Sequence, residues 1–383
     1  MLVATEPSGD ALGAGLAAAL RRRLGEGVRF VGVGGAEMAA QGVVSPFDIR
    51  RLSIVGVFNA ARAWPLVLRR ARETAALAAR ERPDVAILID AWGFTLRVAH
   101  RLRRLDRGLA LIKYVAPQVW ATRPGRARTL ARAVDRLLTI HAFDSQFFEV
   151  EGLPVTFVGN PALGRDFSRT DPARLRAAIG AGPEDPILLI LPGSRQGEID
   201  RMLAPFAEAA ASLAAERPGL RLVVAAADAV AAEVERRVAG WSHRACVVQG
   251  ETARLDAMRA ATAALACSGT VTTELALAGC PMIVAYRLGA LTHAVAKRLI
   301  RTPYITLLNV AARAFVAPEL VQGDCNGPAL ARAAGRLLDD PALRGRQVAA
   351  QNAALHIMRG GIEDPTGRAA EAVIEELRKR GRI

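Results

Sequence analysis

Three tyrosines, four cysteines and no long apolar run set the first limits on this 383-residue chain. The cysteines, Cys246, Cys267, Cys280 and Cys325, are not closely paired, and Cys267 and Cys280 stand in or beside apolar runs. They read as buried free thiols of a reducing compartment, not as a disulfide framework. No apolar stretch approaches the roughly 20 residues that cross a bilayer, and the opening MLVATEPSGD meets an acid and a turn at once, unlike a secretory signal. The expected location is cytoplasmic, with room for peripheral contact with a membrane. With so few aromatics, none interleaved with basic clusters, a base-stacking surface is missing and no nucleic acid partner is expected. Of the five histidines, His141 follows a strand, while His100, His243, His293 and His356 lack metal-ligand spacing. No carboxylate cluster for a divalent ion is present either, so no metal and no cofactor are expected.

What the chain has is arginine and a rhythm. Lys and Arg total 51 against 37 Asp and Glu, a formal excess of +14. That excess suits an anionic membrane surface, a phosphorylated substrate or nucleic acid, and charge alone does not choose among them. Short apolar runs alternate with helix-compatible segments. Strands are predicted over 2–5, 28–33, 85–89, 109–115, 136–140 and 156–158, then, after polar stretches at 164–176 and 181–186, over 187–191, 221–226, 245–248, 263–266 and 281–286. Helices are predicted from 11, 97, 202 and 271, and later over 328–338, 343–357 and 368–379. The pattern predicts an α/β chain of two doubly wound, Rossmann-like domains, 1–160 and 161–360, facing each other across a cleft. Residues 361–383 are predicted as an amphipathic helix packing back across both.

Candidate sites fall at the carboxyl ends of strands, where open parallel sheets bind ligands. Ser268-Gly269-Thr270 ends one strand and opens a helix, so its N–H groups and hydroxyls favour phosphate; Glu274, one turn on, suits a pair of sugar hydroxyls. An ordinary Ser/Thr-capped helix start accounts for the same residues. Gly193-Ser194-Arg195 offers close backbone approach and a guanidinium fork for a diphosphate, without the glycine spacing of a P-loop. Asp90 ends a buried strand and stands where a general base could act, or it caps the next loop. Glu6 and Asp10 flank the turn after the first strand. Asn309, Glu319 and Gln322 form a third polar set, with Glu319 read at the start of a short helix. The stretch that begins at Leu52 and ends at Arg70 mixes bulky apolar residues with Arg62, Arg69 and Arg70, as either a core helix or a lipid-facing lip would.

In their order along the chain, these strings resemble the bacterial lipid-A-disaccharide synthases, which are glycosyltransferases of GT-B architecture. The resemblance runs through Glu6-Pro7-Ser8-Gly9-Asp10, Ile89-Asp90 with Phe94, Val115-Ala116-Pro117 with Val119-Trp120-Ala121, Leu191 to Arg195, Ser268-Gly269-Thr270 with Glu274, and Asn309 with Pro318-Glu319 and Gln322. It implies transfer of 2,3-diacylglucosamine from its UDP form to the 6-hydroxyl of 2,3-diacylglucosamine 1-phosphate, giving a β-1,6-linked disaccharide and UDP with inversion. It puts the base at Asp90 and adds Glu6 to the catalytic set. Arg195, Ser194, Ser268, Gly269, Thr270, Glu274, Asn309, Glu319 and Gln322 would hold UDP. It favours the lipid-facing reading of 52–70, against the anionic inner face of the inner membrane of a Gram-negative bacterium; a homodimer is left open. Thr5 stands where the family has Gly, Trp92-Gly93 replaces Pro-Asp or Pro-Gly, Thr122 replaces Trp and Asn160 replaces His. Two rivals remain. One is another UDP-sugar enzyme of envelope synthesis with the same fold, such as an epimerase; the other is a non-catalytic nucleotide-sugar binding protein.

Overall fold

The computed structural model describes residues 1–49, 52, 60–289 and 302–383. They form two units, Met1–Pro161 with Arg359–Ile383, and Ala162–Met358. Each is built on a six-stranded parallel sheet.

In the first unit the chain runs β1 (Leu2–Val3), α1 (Pro7–Leu24), β2 (Gly32–Val33), α2 (Ala36–Ala40), α3 (Ala60–Glu81), β3 (Val85–Ile89), α4 (Trp92–Leu105), β4 (Ala110–Tyr114), α5 (Arg126–Ala131), β5 (Arg136–Thr139), α6 (Ser145–Glu149) and β6 (Val155–Phe157). The second unit has α7 (Pro172–Ile179), β7 (Ile187–Leu191), α8 (Gln196–Glu216), β8 (Arg221–Ala225), α9 (Ala231–Val238), β9 (Ala245–Val248), α10 (Glu251–Ala260), β10 (Ala263–Cys267), α11 (Thr270–Leu277), β11 (Met282–Tyr286), α12 (Leu307–Ala312), β12 (Glu319–Val321), α13 (Gly327–Asp339) and α14 (Pro341–Arg359). Helix α15 (Pro365–Lys379) returns to the first unit and packs on α1.

The central strands are apolar throughout because both sheet faces are covered. In the first sheet Leu2, Ile87, Ile89 and Ile112 pack with residues of α1 and α15, while Val3, Leu88 and Leu111 pack with α3 and α4. In the second, Leu188, Ile190 and Leu265 pack with α8, α9 and α13, and Leu189, Ala264 and Val284 with the helices opposite. Each fully buried Leu or Ile contributes about 1.5–3 kcal/mol, so register is strongly fixed: a one-residue slip would exchange both faces at once.

The strand orders, β2-β1-β3-β4-β5-β6 and β12-β11-β10-β7-β8-β9, each reverse direction of progress at one place. Those places are β1/β3 in the first sheet and β7/β10 in the second. At such a switch point the two loops leave in opposite directions and open a crevice.

Several expected boundaries move, in one sense. Helices α1, α4, α8 and α11 begin at Pro7, Trp92, Gln196 and Thr270, before the positions predicted from the first periodic apolar residue. The strand-to-helix loops are so short that their polar motif residues form the first helical turn. Strands β1 and β2 keep only two residues each. The 318–322 segment is corrected more deeply: Glu319 opens a strand, pairing in register with Val284 of β11, and does not open a helix. Residues 53–59 of the Leu52-to-Arg70 stretch, Val57 and Phe58 included, lie outside the described residues, while its later part runs into α3. Trp64 is 46% exposed, with the Arg97 guanidinium 3.7 Å from its ring centroid.

Candidate active site

In the second unit, the loops after β7, β8, β9 and β10 enclose a pocket of about 490 Å³ around the switch point. Its lining brings together Gly193, Ser194, Arg195, Ser268, Gly269, Thr270 and Glu274, residues far apart in sequence. Gly193 has φ +118°, and a Cβ there would stand 2.6 Å from the Glu198 carboxylate, so only glycine lets the turn close over that acid. Glu198 accepts from the Ser194 and Arg195 amides at 2.9 and 3.3 Å, which fixes the turn at the N-terminus of the 21-residue α8. The Arg195 side chain is 81% exposed and only 3.4 Å from Glu198, which leaves its fork largely open to a ligand.

Across the pocket, Gly269 caps α11, and the Ser268 hydroxyl donates to the Ile305 carbonyl at 3.2 Å. Glu274 lies in the second turn of α11. Its carboxylate accepts from both Arg165 and Arg254, and Arg165 also pairs with Glu251. The sequence reading missed Arg165, which stands in the polar stretch 164–176, and Arg254, on an unpredicted helix. Neither has a local signature: each is defined by the distant carboxylate it meets. Burial pushes the Cys267 thiol up to about 12, so it meets the pocket as a neutral group and not as a nucleophile.

Asn309, Glu319 and Gln322 are not among the pocket-lining residues. Asn309 is fully buried, donating to the Ala317 carbonyl at 2.8 Å and to Glu319 at 2.7 Å, and accepting from the Ala317 amide at 3.0 Å. Glu319 also accepts from the Ile305 amide at 2.9 Å and from the Thr306 amide and hydroxyl, both at 2.8 Å. These bonds lock the 305–306 turn that the Ser268 hydroxyl reaches. Gln322 has φ +56°, and its Nε2 is buried without a hydrogen-bond partner among the described residues.

In the first unit, Asp90 follows β3 at the other switch point. Asp90 and Ala91 both adopt left-handed backbone, φ +46° and +40°, a strained pair for residues with side chains. The Asp90 amide donates to the Tyr114 carbonyl at 2.9 Å, and its carbonyl accepts from the Thr95 hydroxyl at 2.8 Å and from Lys113. Lys113 is a third residue that sequence reasoning missed, although a lone cation in the apolar run Ala110–Tyr114 was a visible signal. Only 2% exposed, its amine is pushed down to about 7 by burial, against the Asp90 and Glu6 carboxylates.

Glu6 is the exposed N-cap residue of α1. Asp10 is committed elsewhere: its carboxylate accepts from the Gly35, Glu37 and Met38 amides at 2.7–3.2 Å, capping α2. After β5, Asp144 is 2% exposed, and one of its oxygens has no hydrogen-bond partner among the described residues. Burial pushes it up to about 8, opposed by the Trp120 indole N–H.

A family model described as lipid-A-disaccharide synthetase matches residues 1–373. The chain is 41% identical over 379 residues to the lipid-A-disaccharide synthase of Rhodospirillum centenum, covering 99% of this chain and 94% of that one. With the enzyme of the same name from Nitrobacter winogradskyi the identity is 43% over 379 residues, covering 99% and 95%. Among solved structures, a UDP-N-acetylglucosamine 2-epimerase from Listeria monocytogenes superposes with a TM-score of 0.67 at 15% identity, covering 100% of this chain and 97% of that one. The MnaA–UDP structure from S. aureus gives 0.66 at 14%, with the same coverages. At such low identity these two show the two-lobed GT-B-like fold alone.

Proposed function

The chain belongs to the lipid-A-disaccharide synthetase family and is a glycosyltransferase of that type; on this premise we propose that it joins two diacylated glucosamines. The donor is UDP-2,3-diacylglucosamine and the acceptor is 2,3-diacylglucosamine 1-phosphate. The observation that carries the reading is the full-length identity above 40% to enzymes bearing that name. The structural neighbours alone would suit an epimerase equally well.

In this reading the diphosphate lies at the N-termini of α8 and α11, against the N–H groups and dipoles of both helices, with Arg195 taking up charge as UDP leaves. The ribose lies toward Glu274, which Arg165 and Arg254 hold in place as an acceptor for its hydroxyls. Asn309 and Glu319 support the site through the 305–306 turn, and Gln322 offers its unpartnered amide. Asp90 takes the proton of the acceptor 6-hydroxyl as that oxygen attacks C1 of the donor from the face opposite UDP. The new C–O bond forms while the C1–phosphate oxygen bond breaks, and the α linkage becomes β. Glu6, across the switch point, orients the acceptor. No metal takes part.

Mass spectrometry and NMR of the product from the two diacylated substrates test this reading. A β-1,6 disaccharide 1-phosphate with one equivalent of UDP is expected. A donor epimerised at C2 with no gain in mass would install the epimerase reading, and UDP binding without turnover would install the binding-protein reading.

No helix of the described residues is long and apolar enough to cross a membrane. We infer peripheral attachment to an anionic cytoplasmic membrane face through the segment from Leu52 to Arg70, where bulky side chains and arginines alternate. Replacing Val57, Phe58 and Trp64 with serine should release the protein from anionic vesicles in a sedimentation assay while the melting temperature holds. Unchanged vesicle binding with a sharp fall in melting temperature would return these residues to a core.

A further inference from the structure

The chain uses arginine almost to the exclusion of lysine: of 51 basic residues, three are lysines, Lys113, Lys297 and Lys379. Lys379 is exposed on α15, whereas Lys113 is fully enclosed in the middle of a sheet. Its in-register neighbours are Leu88 on β3 and Leu137 on β5, so nothing in its strand calls for a cation. Its partners lie at the carboxyl edge: Nζ donates to the Asp90 carbonyl and, at 3.1 Å, to the Thr95 hydroxyl. The charged groups facing it are Asp90, after β3, and Glu6, after β1; Thr95 comes from α4.

An arginine would not serve here. Its guanidinium is bulkier and cannot give up its proton, whereas a compact amine reaches a single carbonyl and tolerates enclosure in either protonation state. Lys113, Thr95 and the Tyr114 carbonyl together occupy both backbone polar groups of Asp90 and hold a left-handed turn that Asp90 and Ala91 would not keep unaided. Only the Asp90 side chain is left for chemistry.

We propose that Lys113 is a positioning residue of the transfer reaction: it pins the Asp90 carbonyl, fixes the turn that aims the Asp90 carboxylate at the acceptor hydroxyl, and sets a cation beside it. The proposal rests on the reading of Asp90 as the base, and its test separates the two. Turnover is measured for the full chain as wild type, Lys113→Met, Lys113→Gln, Asp90→Asn and each Lys113 variant combined with Asp90→Asn. In parallel, protein labelled with ¹³C at the lysine ε-carbon gives one signal per lysine, and the signal lost in Lys113→Met is that of Lys113.

Lys113→Met should lower kcat about 10- to 100-fold, the scale of an ångström-level misplacement, with donor KM unchanged. Lys113→Gln keeps an N–H donor without the charge and should fall between. In the Asp90→Asn background both losses should vanish, because a residue acting through Asp90 has nothing left to position. The Lys113 signal should titrate near pH 7 in wild type and at lower pH in Asp90→Asn, where one of its carboxylates is gone. Equal losses in both backgrounds, or a Lys113 titration that Asp90→Asn leaves in place, overturn the proposal. Full turnover by Asp90→Asn removes Asp90 as the base instead; the lysine titration needs no turnover and still decides whether the two residues are coupled. Should Lys113→Met not fold, the Gln variant and the titration carry the decision.

Discussion

Replacing Glu319 with alanine should loosen the second unit from inside, because one carboxylate serves four donors there. The Ile305 amide, the Thr306 amide and hydroxyl, and the Asn309 side-chain amide all end on Glu319, at 2.7–2.9 Å by their shorter contacts. Asn309 keeps its bond to the Ala317 carbonyl in the variant, so the main losses are the two backbone amides and the Thr306 hydroxyl. A hydrogen bond to a charged group is worth about 1.5–3 kcal/mol, and losses that share one acceptor overlap; about two bonds' worth, roughly 3–5 kcal/mol, is expected. For a unit of this size each kcal/mol moves the midpoint by about 2–4 °C, so Glu319→Ala should melt roughly 6–20 °C lower. Glu319→Gln retains one acceptor oxygen and should lose about half as much. Calorimetry gives the midpoint, and hydrogen exchange read by mass spectrometry on residues 302–309 gives the local effect. Ile305 and Thr306 should exchange much faster in the alanine variant, and UDP affinity should fall with them, since the Ile305 carbonyl holds the Ser268 hydroxyl. A variant that melts with wild type and keeps both amides protected would refute this account and return Glu319 to a purely ligand-binding role.

Arg195→Lys replaces a fork of donors with a point charge, and donor kinetics should worsen by about tenfold or more; kinetics equal to wild type would show that the guanidinium faces elsewhere. The proposed transfer routes no step through a metal ion, so activity should survive prolonged EDTA. A rate abolished by EDTA and restored by magnesium would count against that expectation. Asp144 keeps its proton in the fold up to about pH 8, whereas an ordinary aspartate loses it near 3.8. The stability tied to this group is therefore full below about 3.8 and is lost as pH rises toward 8. The melting advantage of Asp144→Asn over wild type should grow between pH 5 and pH 8.5, and an advantage independent of pH would refute the assignment.

The parts of the fold that the sequence made legible are those decided by nearest neighbours. Val85–Ile89 and Ile187–Leu191 read as strands because, buried on both faces, they are uninterrupted apolar runs. The positions of Asp90 and Arg195 followed directly, since chemistry in such sheets gathers at strand ends. The 318–322 segment was misread because Pro-Glu is a local helix-start signal, while the pairing with β11 that makes it a strand comes from residues more than thirty positions away. Arg165 and Arg254 were missed for the same reason: each depends on Glu274, 109 and 20 residues off. Lys113 differs, because a lone cation inside an apolar strand could have been flagged from the sequence alone, though its partner could not.

The return of α15 to the first unit has a consequence for how the protein is born. On α15, Ala369, Val373 and Leu377 complete the layer formed with Leu16 and Leu20 of α1, and Arg136 of β5 donates to the Ala372 carbonyl at 2.9 Å. On the ribosome, the N-terminal sheet emerges first but must wait for residues that are made last. Translation of the intervening Ala162–Met358 takes roughly 10–40 s at ordinary elongation rates. For that interval the nascent N-terminal unit carries a bare apolar face, while the later-made second unit already has its whole sequence and can close. The order of synthesis and the order of completion are thus reversed.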